Sequence, residues 1–329
     1  MICLPVEKRL FAFYLERRKI IMEFRKIAVL GAGAVGSYLI WGLSGKQDIS
    51  LSVVAEGSRK QRLEQEGLMI NGEQFLPKVF APEQARGADL LIIALKYGAL
   101  RDALCQIREI ADDHTMVMSL MNGVDSEKII SEVIPSEQII YSLIKVASTR
   151  KGNCIRFDPA TTIGIIYGEI DPERGRGRME ALDQLFSGTG LHYRQSPVIL
   201  SEIWSKFLLN VGNNLPQAMV GCGVGAYEDS EHVRFLRDRL REEVMQIANA
   251  EGIDLSLSDV SSLKGSPVKK SARYSTLQDL DLGRHTEIDM FSGAVVRLGK
   301  EHGIPTPYNE FALHMIHALE EKNDGRFEY

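Results

Sequence analysis

Lys206, Asn210, Asn213 and Asn214 are spaced i, i+4, i+7 and i+8, which puts them on or near one face of a helix. Their neighbours Ile203, Phe207, Leu208 and Leu209 are apolar. An ammonium on an otherwise buried helix loses its hydration, so a polar stripe of this kind is tolerable only where it lines a cleft. A plain solvated face would carry a mixture of Glu and Lys rather than three asparagines. Hydride addition to a ketone creates an alkoxide, and a cation that can also release a proton suits that transition state.

A source of hydride is suggested upstream, in Gly31-Ala32-Gly33-Ala34-Val35-Gly36. In such a loop the first glycine permits a tight turn, the second admits the pyrophosphate, and the third allows close packing of helix on sheet. The helix amides then face the phosphate charge. The apolar run Ile27 to Leu30 precedes the loop, a helical stretch Ala34 to Leu43 follows, and Leu51 to Ala55 reads as the second strand. This βαβ unit of about 30 residues predicts a nicotinamide dinucleotide site. At the end of its second strand stands Glu56, where an acidic residue accepts hydrogen bonds from the ribose diol and an arginine accommodates a 2′-phosphate. Glu56 favours NADH, although Arg59 and Lys60 could neutralise it. Lys96 and Asn122 each follow an apolar strand-like run, at the sheet edge where ligands bind in open α/β folds.

Further apolar runs at Asp89 to Leu95, Thr115 to Leu120, Gln138 to Ala147 and Thr161 to Tyr167 alternate with helical stretches at Leu100 to Ile110 and Ser126 to Ile134. That alternation argues for a parallel sheet with helices on both faces. Beyond Pro197 only helical patterns remain, at Val198 to Leu215, Glu231 to Ala250, Arg284 to His302 and Asn309 to Glu321. Gly252, Gly303 and Pro305 fall just past helix ends, and Ser256 to Ser271 reads as a mobile connection with one short helix. The expected fold is α/β, an N-terminal Rossmann-type doubly wound parallel sheet plus an all-helical C-terminal domain. The expected division is an extension at 1–22, a dinucleotide domain at 23–197, a helical substrate and dimerisation domain at 198–323, and a tail at 324–329.

A chain of 329 residues is long enough for two cored domains. Its net charge of −5, without a long basic block, argues against nucleic acid or an anionic membrane as partner and for a small molecule. Cys3, Cys105, Cys154 and Cys222 are widely spaced with no neighbouring His, so neither disulfides nor a metal site are expected, and four buried thiols in a reducing cytoplasm are. Charges interrupt every apolar run of residues 1–22, which excludes a signal peptide or membrane span there. The segment reads as a helix-prone extension, with Met22 a candidate start. Apolar faces around Phe291 to Leu298 and Phe311 to Ile316 leave room for a homodimer.

Taken together, the glycine loop, Ala94-Leu95-Lys96, Met121-Asn122-Gly123, Trp204-Ser205-Lys206 with Asn210 and Asn214, Ser275-Thr276-Leu277-Gln278-Asp279 and His285-Thr286-Glu287-Ile288-Asp289 resemble the ketopantoate reductase family, in order, from about Arg25 to about Leu319. The resemblance implies NADPH-linked reduction of 2-dehydropantoate to pantoate, towards pantothenate and coenzyme A, in a cleft between domains. It implies that Lys206 is the general acid at the keto oxygen and that Glu287 orients it. By the same resemblance Asn210 and Asn214 bind substrate oxygens, Ser275 binds the carboxylate, and Lys96 and Asn122 serve the cofactor and place the nicotinamide. Two positions depart from the pattern: Glu56 stands where the family commonly has arginine, and Val220 to Tyr227 lacks an asparagine found in some members. Reduction of a related 2-keto acid, and a non-catalytic dinucleotide-sensing regulator, are the alternatives. A regulator would be expected to have lost the polar stripe.

Overall fold

The computed structural model describes residues 22–259 and 269–327. The 1–22 extension, apart from Met22, and residues 260–268 of the expected connection lie outside them.

Short runs of aliphatic residues form the strands β1 (Lys26–Leu30), β2 (Ser50–Val54), β3 (Leu68–Ile70), β4 (Glu73–Phe75), β5 (Lys78–Phe80), β6 (Leu90–Ile93), β7 (Met116–Ser119), β8 (Ile139–Lys145), β9 (Ser148–Lys151), β10 (Cys154–Phe157), β11 (Gly164–Gly168) and β12 (Tyr193–Gln195). The main sheet has the order β12-β11-β8-β7-β6-β1-β2-β5. From β5 to β8 its pairings are all parallel. At β11 the sheet turns antiparallel, so it is mixed at that edge. Strand direction of travel reverses at β1, between β2 and β6, and the crevice at such a switch point is where open α/β sheets take their ligands.

Both faces of this sheet are covered. Ile27 and Val29 of β1 join one apolar core with Tyr38, Leu39 and Phe186, while Ala28 and Leu30 join another with Ile107, Ile110 and Ile130. Alternate residues of one strand therefore feed opposite cores, as the pleat dictates. The helices supplying these cores are α1 (Ala34–Leu43), α2 (Gly57–Glu66), α3 (Leu104–Ile110), α4 (Ser126–Ile130) and α5 (Pro172–Phe186).

A second sheet, of order β4-β3-β10-β9, was not foreseen from the sequence. Its strands are three or four residues long and partly polar, too short to show a period.

The helical half comprises α6 (Ile199–Val220), α7 (Ala226–Asp229), α8 (Glu231–Ala250), α9 (Ser275–Asp281), α10 (Ser292–His302) and α11 (Pro307–Asn323). Helix α6 runs past the expected end at Leu215 and through Pro216. Proline offers no N–H to the carbonyl four residues back. Here the Tyr227 hydroxyl donates to that carbonyl, of Gly212, at 3.4 Å and to that of Asn213 at 2.5 Å. Gly221, with φ of 73°, then ends the helix in the left-handed conformation. The expected helix from Arg284 begins only at Ser292. Ahead of it, Thr286 donates its backbone N–H and its hydroxyl to Glu320 Oε1, both at 2.7 Å, an arrangement that competes with helical bonding.

Trp204, Phe207, Val211 and Leu215 of α6 pack with Leu240, Val244, Phe291, Val295 and Ile316 in a third core. Phe291 to Leu298 is therefore interior and not a dimer face; Phe311, at 62% exposure, remains on the surface with Phe235 and Tyr308. Ile199 and Ile203 pack against Leu143 and Ile166 of the main sheet, which seats the first turns of α6 on β8 and β11. The thiols also differ from expectation: the described cysteines are free, but Cys105 and Cys154 are exposed and Cys222 is half-buried. Among the described residues no helix is long and apolar enough to cross a membrane.

Candidate active site

The glycine loop joins β1 to α1. Gly31 has φ of +110°, and a Cβ there would stand 2.4 Å from the Ala94 carbonyl oxygen; one at Gly36 would stand 1.8 Å from that of Gly31. Both positions exclude any side chain for reasons internal to the fold. Gly33 differs, since a Cβ there would meet only Arg150 Nη1, at 3.9 Å. It is also the residue preceding α1, and no side chain caps the helix. The first amides of α1, from Ala34 and Val35, thus start at a residue without a side chain, with the Arg150 guanidinium nearby, which suits the pyrophosphate of a dinucleotide.

Glu56 lies two residues past the end of β2 and directly precedes α2; its exposed carboxylate accepts a hydrogen bond from Gln106 Nε2 at 2.6 Å. Lys96 follows β6, as expected, and its ammonium lies 3.4 Å from Asp279 Oδ2 on α9. Asp279 also pairs with Arg284 at 2.8 Å. Lys96 thereby links the sheet edge to the segment that begins at Ser275, which opens α9 and is exposed.

Lys206 projects from α6 to the ends of two strands. Its ammonium donates to Asn122 Oδ1 at 2.7 Å, just past β7, and to the Ile144 carbonyl of β8 at 2.6 Å. An ammonium has three donors, so one N–H is left for a ligand. Burial, and then the charge of Lys145, lower its pKa to about 8, against an opposing pull from Glu287. Glu287 makes no hydrogen bond to Lys206; its Oε1 accepts from the Tyr97 amide at 3.0 Å and it acts on the ammonium through charge. The Tyr97 hydroxyl in turn donates to Asp125 Oδ2 at 2.7 Å, and Arg297 Nη2 donates to the same carboxylate oxygen at 2.7 Å.

Asn210 is half-buried and Asn214 is buried, one and two turns beyond Lys206. Asn213 leaves the stripe: its Oδ1 accepts from Arg241 Nη2 of α8 at 2.9 Å. Two relevant residues escaped the sequence reading. Lys145 ends β8 much as Lys96 follows β6, and the strand-end rule would have found it. Gln217 continues the stripe, accepts from the Tyr274 amide at 2.6 Å and donates to the Ala272 carbonyl at 3.0 Å, so α6 anchors the chain just ahead of Ser275.

A Rossmann sheet with an uncapped helix N-terminus at a glycine loop, and a buried lysine of lowered pKa at the adjoining strand ends, fit an oxidoreductase of the two-domain dinucleotide type. Comparison with known proteins narrows this. Residues 27–167 match the model for ketopantoate reductase PanE/ApbA, and residues 198–320 match that for its C-terminal part. A 2-dehydropantoate 2-reductase of Mesorhizobium japonicum is 30% identical over 89% of this chain and 97% of its own length. The chain belongs to the ketopantoate reductase family. A crystal structure of a PanE/ApbA family ketopantoate reductase from Ralstonia eutropha superposes with a TM-score of 0.75, at 24% identity over 91% of this chain and 99% of the other. A D-mandelate dehydrogenase determined with NADH and anilino(oxo)acetate gives 0.78 at 23% identity, with the same coverages. At these identities the two structures share the fold.

Proposed function

We propose that the protein reduces 2-dehydropantoate to (R)-pantoate at the cleft between a dinucleotide domain (residues 23–197) and a substrate domain (198–323). The observation that carries this reading is Lys206, fixed by Asn122 and the Ile144 carbonyl, with its pKa lowered to about 8. A bound nicotinamide dinucleotide supplies the hydride. The loop from Gly31 to Gly36 holds its pyrophosphate, and Lys96, Asn122 and Glu287 line the way to the nicotinamide. Lys206 hydrogen-bonds the keto oxygen through its remaining N–H, stabilises the developing alkoxide and gives it a proton. A pKa near the working pH makes the lysine both protonated at rest and able to part with its proton. Asn210 and Asn214 bind substrate oxygens and Ser275 the carboxylate. These neutral donors leave the acid's role to Lys206.

Lys145 favours a second reading in which the substrate is a 2-keto acid with a different side chain, because it adds a positive charge beside Lys206. The likeness to a D-mandelate dehydrogenase supports this reading at the level of fold alone. Nicotinamide absorbance with 2-dehydropantoate and a panel of other 2-keto acids separates them. Fastest oxidation with 2-dehydropantoate is expected; a hundredfold preference for another acid, or no oxidation with any, overturns the assignment.

A further inference from the structure

Tyr97, Asp125 and Arg297 close a triangle between the two halves of the chain. Tyr97 follows Lys96 past β6, Asp125 directly precedes α4, and Arg297 stands in α10 of the helical half. The Tyr97 hydroxyl donates to Asp125 Oδ2 and accepts from Arg297 Nη2, and Arg297 Nη2 also donates to that carboxylate oxygen, each at 2.7 Å. Burial, and then the Asp125 charge, raise the Tyr97 pKa, so the hydroxyl keeps the proton it donates. The other arm of the guanidinium, Nη1, donates to the Asp289 carbonyl at 3.3 Å, two residues beyond Glu287. The Tyr97 ring packs against a core of each half. One turn along α10, Glu301 pairs with Lys128 of α4 at 3.0 Å. A Cβ at Gly123 would stand 2.8 Å from Met290 Cγ, so the segment carrying Asn122 lies close against the one carrying Glu287.

This triangle reaches the candidate acid through Glu287. The Tyr97 amide donates to Glu287 Oε1 at 3.0 Å, and the charges that act on Lys206 are those of Lys145 and Glu287. Glu287 acts on the ammonium through charge, so its pull weakens as the separation grows. What fixes that separation is the placing of Tyr97 and of the segment through Asp289, and Arg297 holds both. A buried ion pair adds little stability, because desolvation offsets its attraction, and its effect on geometry is then the larger one. We propose that Tyr97, Asp125 and Arg297 are positioning residues, which clasp α10 to the sheet edge and so hold the Glu287 carboxylate where it keeps Lys206 charged. This rests on the reading of Lys206 as the acid. None of the three hydrogen-bonds Lys206, whose partners are Asn122 and the Ile144 carbonyl.

Single-turnover hydride transfer to 2-dehydropantoate by the full-length protein, with saturating NADPH and in parallel NADH, tests this across pH 6 to 10. In wild type the rate should fall as pH rises through about 8. Tyr97→Phe removes both hydroxyl bonds and keeps the ring, and Arg297→Met removes the guanidinium and keeps its stem. Each should slow transfer about tenfold through misplacement of the acid. Each should also move the limb down by about half a pH unit, because a loosened Glu287 raises the Lys206 pKa less. Dinucleotide affinity should stay within about threefold, and Arg297→Lys should recover part of both changes. Glu287→Gln should move the limb at least as far, and in that background Tyr97→Phe should move it no further. A limb that stays in place while only the melting temperature falls, or shifts that add in the double variant, overturns the positioning role and leaves Lys206 as the acid. A wild type without that limb overturns the reading of Lys206 and the proposal together.

Discussion

The two halves of the candidate site are built from different materials. The glycine loop is a backbone structure: Gly31 and Gly36 are fixed by contacts inside the fold, Gly33 leaves a surface open, and the helix amides are the groups proposed to bind. The Lys206 face works through side chains whose properties depend on elements far away in sequence, namely Asn122, the Ile144 carbonyl, Lys145 and Glu287. A backbone site accepts any ligand with the right phosphates, whereas a tuned lysine commits the cleft to one kind of proton transfer. Binding and chemistry should therefore be separable by mutation.

The largest effect should come from Lys206→Met, which removes the acid without filling the phosphate cradle. Turnover should fall by about 10²–10⁴-fold, while the dissociation constant for the dinucleotide, measured by fluorescence, stays within about threefold. A comparable loss of both would dissolve the distinction between the halves. Next comes Gly33→Val. Its side chain enters the open surface and meets only Arg150, so the protein should fold with a near-normal melting temperature and bind dinucleotide at least tenfold more weakly. Gly36→Val should instead destabilise the fold, because its Cβ collides with the Gly31 carbonyl.

A smaller effect concerns stability alone. Glu127, buried beside Ser126, has its carboxyl pKa raised to about 7 by burial. The native state then binds the proton more tightly than the unfolded chain does. Stability should be fully present below about pH 4.5 as far as this group is concerned, and should decline as pH rises to about 7. Melting temperatures across pH 5 to 8 should show that decline, and Glu127→Gln should flatten it without touching dinucleotide affinity.

The same contrast governs what could be read from sequence. The loop, its flanking strand and helix, and the doubly wound order are local patterns, and α1 (Ala34–Leu43) and α8 (Glu231–Ala250) fall on the expected residues. Lys206, Asn210 and Asn214 were visible as a stripe because helical spacing is itself local. What stayed hidden depends on tertiary contact. Pro216 signals a helix end until Tyr227 supplies the missing donor. Asn213 fits the stripe until Arg241 draws it to α8. Lys145 matters through its closeness to Lys206, and Arg150 through a hairpin whose short polar strands give no periodic signal.

Lys206 is the proposed acid, and its surroundings bring its pKa to about 8. The pH dependence of single-turnover hydride transfer, with saturating dinucleotide and 2-dehydropantoate, tests it most directly. The lysine must be protonated to act, so the rate should be level below its pKa and fall as pH rises through about 8. Lys145→Met removes a repelling charge and should move that limb upward, and Lys206→Met should abolish it. A rate unchanged from pH 6 to 10, or a limb near 8 that survives in Lys206→Met, would contradict the account.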